Sequence, residues 1–474
     1  MRRHVRGLRA QTLGALIVFA ALACGGGDDH GGPVKLVPSD QDAGPDAEQT
    51  GDAGDAGEHA TDASDAAPPD SGSPIERPDG LAGNCVSAEA QVYTVAERSE
   101  PFLSTPLAVD PTLATYAMPY VKTGGCGTLD AIYWASLASD GTAMGPTDSL
   151  AFDGCSRVRD SAATAVAAGQ WLLASVDNRE PPYDVWVTTY AGADATETQA
   201  TRLTQNSRVE TALALTVLPT GNKVALAYAD EDPLNGKGQA LNVRMLDMQG
   251  QPLGDAVTIE QSTTLYYSGL SLRPLGAEGA ALVYVRYSPD YTTSDILLVA
   301  LDSSGNAQRA PWLLASKAGP SASVDVTWNS EGGGVVYSRS EATTGRQIWF
   351  QQIDETGVAA LQRDGRTRAP ALRVVNAPRR GIDVSVTKLL SSFVVAYREL
   401  PNPASTETRA RLRVYFLDRY GAVIGSSDVG YTSSGGGRTS ILSANDGSVV
   451  MSWNQVNDEG GSALKVLRLP CVGG

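Results

Sequence analysis

The sequence predicts an all-β body made of seven repeated sheets, and three observations lead there. The first is a turn. Residues 239–254, QALNVRMLDMQGQPLG, alternate apolar and polar side chains as a strand does, then turn through Leu246-Asp247 with Gly250 three residues on. Leu137, Tyr190, Leu246, Leu301, Ile353, Leu417 and Leu469 hold the same place, at spacings of 53, 56, 55, 52, 64 and 52. Four of these copies carry Asp247, Asp302, Asp354 or Asp418 and then Gly250, Gly305, Gly357 or Gly421. An Asp that bonds its own backbone, followed by a Gly that accepts positive φ, is hairpin chemistry rather than an acidic site. The second observation is a β-rich run about eighteen residues before each turn, ending at Ala117, Ser175, Tyr228, Tyr284, Tyr337, Tyr397 or Trp453. Because the rings recur at the repeat period, they are expected to pack one repeat on the next. The third is a further strand and small turn ahead of each run, as in ALTVLPTGNKVALAY and VDVTWNSEGGGVVY. With a looser strand after the turn, each repeat has four antiparallel strands. Repeats of this length and content are the pattern of a β-propeller, so seven blades are expected.

The N-terminus has a different character. Arg2, Arg3, Arg6 and Arg9 precede the apolar run Thr12 to Ala23, which is too short for a membrane span and reads as an export signal over residues 1–23. It closes Ala21-Leu22-Ala23-Cys24, which resembles a bacterial lipobox with Ala where the third position before the cysteine usually holds Leu. That resemblance implies lipidation of Cys24 and anchorage to a membrane. Gly25 after it, by resemblance to enteric sorting, implies the outer membrane.

Residues 24–80 are expected to be a disordered, acidic, low-complexity tether. Eleven Asp and three Glu stand against Lys35 and Arg77, with almost no aromatic or branched apolar content. Such a composition buries too little surface to offset chain entropy, and like charges hold it extended. The Asp-Ala-Gly repeats resemble spacers of some Gram-negative lipoproteins.

The propeller domain is expected over residues 81–474. Its final repeat stops after its third strand, LKVLRL, so the N-terminal segment 88–95, AEAQVYTV, is expected to supply the missing strand and close the ring. Closure sets Cys85 beside Cys471, and the loops of the first repeat set Cys126 near Cys155. Two disulfides are therefore expected, in keeping with an exported chain.

The same topology sorts the loops. Turns between strands one and two, and three and four, share one face and are short. Loops between strands two and three share the other face and are long and varied, the usual setting for a site. Asp230, Glu231, Asp232, Arg286, Tyr287, Asp290, Tyr291 and Arg398 are the candidate binding residues there. Asp230, Glu231, Asp232 and Asn235 lack the alternation of an EF-hand loop, so no metal is expected. Arg363, Arg366, Arg368, Arg373, Arg379 and Arg380 form a candidate anion patch, assigned to the outer strand and exit loop of the fifth repeat. A charged outer strand that blocks edge pairing explains the same residues.

Composition excludes more than it assigns. The chain's only histidines are His4, His30 and His59, all ahead of the body. Serine–histidine and cysteine–histidine nucleophile systems and histidine-ligated zinc or haem are thereby removed. No phosphate-binding GxxxxGK[ST] loop is present. No cofactor is expected, and the acidic balance, with sequence pI near 4.7, argues against a nucleic-acid partner. The leading expectation is a lipid-anchored, monomeric binding or scaffold propeller for an envelope protein or polysaccharide, without catalysis. The alternative is a carbohydrate-active hydrolase using an Asp/Glu pair at the propeller mouth, because glycosidases need only two carboxyl groups at the right distance.

Overall fold

The computed structural model describes residues 91–97, 107–110, 115–126, 129–138, 149–150, 156–180, 183–192, 196–206, 208–231, 239–320, 322–329, 332–341, 345–360, 368–374, 380–389, 392–400, 409–433, 439–444, 447–456, 462–469 and 471. The chain divides into two units, Met1–Pro74 and Ile75–Gly474, and all described residues belong to the second. The signal, Cys24, the tether, Cys85, Cys155, Asp232, Arg363, Arg366 and Arg379 lie outside them. No helix among the described residues is long and apolar enough to cross a membrane.

The second unit is a seven-bladed propeller of four-stranded antiparallel sheets. The first strand, β1 (Gln91–Glu97), belongs to the last blade. Blade one is β2 (Ala108–Asp110), β3 (Thr115–Cys126), β4 (Leu129–Leu137) and β5 (Ser149–Leu150). Blade two is β6 (Val158–Ala167), β7 (Gln170–Asp177), β8 (Asp184–Ala191) and β9 (Thr196–Arg202). Blade three is β10 (Val209–Val217), β11 (Lys223–Glu231), β12 (Ala240–Asp247) and β13 (Val257–Gln261). Blade four is β14 (Tyr266–Leu275), β15 (Gly279–Tyr287), β16 (Ser294–Leu301) and β17 (Trp312–Ala315). Blade five is β18 (Val324–Asn329), β19 (Gly332–Glu341), β20 (Gly345–Ile353) and β21 (Leu372–Arg373). Blade six is β22 (Arg380–Leu389), β23 (Ser392–Leu400), β24 (Arg409–Leu417) and β25 (Val423–Ser433). Blade seven is β26 (Ser440–Ser443), β27 (Val449–Val456), β28 (Ser462–Leu469) and β1.

Closure works as the pattern predicts, with β1 antiparallel to β28 in the register Val92↔Leu467 and Tyr93↔Val466. The closing strand runs Gln91–Glu97 rather than 88–95. Cys126 ends β3, and Cys471 is buried and disulfide-bonded.

Apolar side chains from facing blades make seven cores, one per seam. Tyr228 packs between blades two and three, Tyr284 between three and four, Tyr337 between four and five, Tyr397 between five and six, and Trp453 between six and seven. The aromatic that marks the repeat in the sequence is therefore the wedge that joins each of blades three to seven to the one before it. Burying such a ring contributes roughly 2–3 kcal/mol per seam.

The turn glycine does a related job. In the turn after β24, Asp418 Oδ1 accepts the backbone N–H groups of Tyr420 and Ala422, and Gly421 takes φ +87°. A Cβ on Gly421 would lie 2.5 Å from Phe350 of blade five, just as one on Gly250 would lie 2.7 Å from Val187 of blade two. Glycine thus serves both the left-handed backbone and the close approach of the preceding blade.

The first strands of the blades line a central cleft of about 110 Å³, with Asp160, Ser271, Asp325 and Ser385 facing it. Asp325 Oδ1 accepts from Ser271 Oγ at 2.6 Å, and Oδ2 from Ser385 Oγ and Val386 N at 2.9 Å each. One carboxylate so ties blades four, five and six together. Asp160 Oδ2 accepts Leu213 N at 2.9 Å, linking blade two to blade three. These channel acids hold the ring.

One placement differs from the sequence reading. Arg380 begins β22, the channel-side strand of blade six, instead of lying on the outer strand or exit loop of blade five. That outer strand is only two residues long, so the chain turns inward sooner than an arginine-rich outer strand would require.

Candidate functional site

The ends of β7 and β11 and the starts of β8, β10 and β12 lie on the long-loop face, and three acidic side chains meet at the seam of blades two and three. Asp184 opens β8. Its Oδ1 accepts Thr204 Oγ1 and its Oδ2 accepts Arg202 Nε, at 2.9 and 2.8 Å. Asp230 lies near the end of β11. It accepts Arg208 Nε at 2.6 Å, Asn242 Nδ2 at 2.8 Å and Ala240 N at 3.2 Å. Each aspartate is thus paired with its own guanidinium.

Glu210 sits between them on β10, opposite Asp230 in the β10–β11 register. It is fully buried, and its Oε2 has no hydrogen-bond partner. Oε1 accepts a long contact from Asn206 Nδ2, at 3.4 Å. Burial pushes its carboxyl up to about 7, the Thr204 hydroxyl offsets part of that, and Asp184 and Asp230 push it further. Desolvation and like charge both favour the neutral acid, and the other side chains that shift it are Thr204, Asp184 and Asp230, with no guanidinium among them. Neighbouring Tyr228 is pushed up to about 12, first by burial, with Glu210 and Asp230 adding to the effect.

Around this seam Trp186 lies between two guanidiniums, Arg179 at 4.5 Å and Arg202 at 5.8 Å. Arg179 in turn holds buried Asp177 at 2.9 Å. The network fixes the arginines of blade two against the aromatic face.

The next seam carries rings. Tyr291 is 49% exposed and takes φ +58°, an uncommon backbone for a bulky side chain. Its ring stacks on Tyr266, centroids 4.4 Å apart, and leans on Tyr287 at 5.8 Å. Tyr287 is itself buried and donates its hydroxyl to Ala322 O. The loop below is tied by Asp290, whose Oδ1 accepts Ser288 Oγ at 2.6 Å and Thr292 N at 3.1 Å. Those hydrogen bonds lower the Asp290 carboxyl to about 2, led by the Ser288 hydroxyl. Burial raises the Tyr291 phenol, with Tyr266 and Glu231 as further causes, so Glu231 of blade three reaches the same patch.

Seven of the eight candidate binding residues are described, Asp232 being the exception, and they divide. Glu231, Arg286, Tyr287, Asp290 and Tyr291 gather at the seam of blades three and four, where Arg286 pairs with Glu260 and Asp295 at 3.2 and 3.0 Å. Asp230 is buried in the acidic seam beside Glu210. Arg398 is buried on blade six against Asp383, a blade-internal ion pair in place of a free loop arginine. Of the arginine patch, Arg368 holds Asp354 at 2.7 Å and Arg373 holds Glu341 at 3.2 Å while stacking on Trp349. Glu210 was missed because nothing adjacent to it in sequence signals its state. Thr204 and Asp184 reach it only through the blade seam. Among the described residues no group of three or more His, Cys, Asp or Glu side chains is arranged to hold a metal ion.

No family model matches the chain, and no curated protein does. Solved structures do. A prolyl endopeptidase matches at 12% identity and TM-score 0.45, over 76% of this chain and 45% of its own. The α-L-arabinanase of Penicillium chrysogenum matches at 13% and 0.43, over 69% and 99%. The Trypanosoma rangeli sialidase matches at 10% and 0.39, over 70% and 57%. The chain thus spans about 45% of the endopeptidase. What is shared at this level is the propeller fold. All three are enzymes by name, which stands against the expectation of a propeller without catalysis, and a likeness at this level shows the fold alone. The case for chemistry in this chain rests on its own carboxyl groups.

Proposed function

We propose that the protein is a hydrolase of glycosidic bonds, acting at the long-loop face through Glu210 and Asp230. One observation carries the reading: a carboxyl that keeps its proton to about pH 7 stands beside a carboxylate fixed by an arginine. A raised, buried acid beside an arginine-paired carboxylate is the arrangement that acid and nucleophile roles need. Directly opposed residues of an antiparallel pair share one face of the sheet with Cβ atoms about 5 Å apart, so the two carboxyls project side by side, and the reaction we propose for them is a double displacement.

In that reaction the Glu210 proton passes to the leaving glycosidic oxygen as Asp230 Oδ2 bonds the anomeric carbon. Water then replaces Asp230, giving its proton to Glu210. Asn242 and Arg208 orient the attacking carboxylate.

The test is release of reducing ends from polysaccharides by the full chain. Activity that falls at least 100-fold in Glu210→Gln and in Asp230→Asn, with retained anomeric configuration, supports the reading. Activity surviving both substitutions, or absent on every polysaccharide offered to folded protein, sinks it.

We also propose that the enzyme works at the cell envelope, lipid-anchored through Cys24 and held off the outer membrane by the acidic tether. The lipobox-like cleavage site and the composition of residues 24–80 support this. Incorporation of radiolabelled palmitate, lost in Cys24→Ser, tests it. In the same reading Cys85 is the partner of Cys471 and Cys126 that of Cys155. Non-reducing peptide mapping that linked Cys85 to Cys126 would remove both pairings.

A further inference from the structure

We infer that the Tyr291 ring at the seam of blades three and four is a stacking subsite for an uncharged sugar, which makes the polysaccharide acted on here a neutral one. The inference rests on the hydrolase reading above, and it names the substrate class.

The patch is built, and its construction points outward. A bulky residue at φ +58° is held against its backbone preference. The cost is met by Tyr291 N donating to Ser288 O at 3.0 Å, by Ser288 N donating to Thr293 O at 2.9 Å, and by Asp290 bridging Ser288 and Thr292. The outcome is that one face of Tyr291 lies on Tyr266, with the ring centroids 4.4 Å apart. Half of the residue remains in solvent. Such a platform takes the C–H face of a sugar ring in the way that aromatic rings take other apolar surfaces.

Charge selects among sugars. Glu231 acts on the Tyr291 phenol, Asp290 is its chain neighbour, and the guanidinium described at this seam, Arg286, is already engaged by Glu260 and Asp295, the latter also contacted by the backbone of Lys317. A uronate or sialate ring would bring its carboxylate toward Glu231 and Asp290 while Arg286 is held by other carboxylates. A polycation is less well served than its charge suggests. Tyr266 and Tyr291 are stacked on one another and so leave no aromatic box, and Asp290 Oδ1 is occupied by Ser288 and Thr292. A neutral ring uses what remains, the half of Tyr291 left in solvent, with carboxylate oxygens beside it to accept its hydroxyls.

The patch also lies along the mouth from the acidic seam. Glu231 follows Asp230 directly on β11, and Asp230 opposes Glu210. A chain stacked on Tyr291 therefore runs toward the proposed acid across the ends of two paired strands.

Affinity electrophoresis of the full chain through gels containing arabinan, polygalacturonate or chitosan tests this without requiring turnover. The variants are Glu210→Gln, Tyr291→Asn, whose side chain accepts the left-handed backbone while removing the ring, and Tyr291→Trp, which keeps a ring. Retardation by arabinan in wild type, Glu210→Gln and Tyr291→Trp, with at least a tenfold weaker effect in Tyr291→Asn, is the expected result. Equal retardation of Tyr291→Asn and wild type would overturn the subsite, as would preference for polygalacturonate or for chitosan. Retardation without sugar release would leave the subsite standing and remove the hydrolase reading. Release that is insensitive to Tyr291→Asn would do the reverse.

Discussion

Asp325 and Glu210 are both buried acids on the channel-side strands of their blades, and the fold treats them oppositely. Asp325 receives two serine hydroxyls and a backbone N–H from the blades on either side. Glu210 is packed between two other acids, with Oε2 given nothing. A buried carboxylate saturated with donors is a structural clamp, whereas one starved of donors is stable only as the neutral acid. The difference teaches where this propeller is built for rigidity and where it keeps a mobile proton.

The comparison can be broken from the Asp325 side first. Asp325→Ala leaves the Ser271 and Ser385 hydroxyls and Val386 N–H without their acceptor, at a cost of about 4 kcal/mol, read as a lowered chemical-denaturation midpoint. A loss below about 1 kcal/mol would show that the channel acid is not a clamp. Gly421→Ala comes next, at about 2 kcal/mol, because its Cβ meets Phe350 and its backbone is left-handed.

Asp302 provides a smaller check on the donor-saturated class. Burial opposes its ionisation, but the N–H groups of Ser304 and Asn306 outweigh burial and hold it below the ordinary carboxylate value. Asp302→Ala should therefore cost about 1 kcal/mol at neutral pH. The sign follows from a depressed folded-state value: the contribution is present above the unfolded-state value of 3.8 and disappears as pH falls through the lower folded one. An equal loss at pH 2 and pH 7 would contradict that assignment. The smallest effect sharpens the other side. Thr204→Val removes the one hydroxyl that offsets the burial of Glu210 and should raise its midpoint by a fraction of a pH unit, measured by carboxyl NMR titration.

These contrasts also show why the fold was legible in the sequence and the site only in part. Leu246-Asp247-x-x-Gly250 is local, since its turn chemistry is complete within a few residues and recurs with the blade. The Tyr228, Tyr284, Tyr337 and Tyr397 wedges were legible for the same reason. Strand β1 was legible because a chain ending at its third strand needs a fourth. The pairing of Arg398 with Asp383 was not, because a loop arginine and a buried one look alike until the strand register is known. Glu210 was hidden further still. Its state depends on Asp184 and Thr204 of the preceding blade, and proximity across a seam leaves no mark on the residues beside it. Tyr291 was picked out from its loop, but its stacking on Tyr266 required the β14–β15 hairpin.

The account turns on Glu210 keeping its proton in the folded state. The most direct measurement is the unfolding free energy of wild type and Glu210→Gln from pH 4.5 to 8. A raised carboxyl favours the folded state only while protonated, so wild type should lose stability as pH rises from the ordinary value of 4.5 through about 7, while the glutamine variant should not. The account predicts no difference between them at pH 4.5 and a gap of about 3 kcal/mol in favour of the variant at pH 8. A gap that stays constant with pH would contradict it, because Glu210 would then be ionised throughout and would have no proton to give.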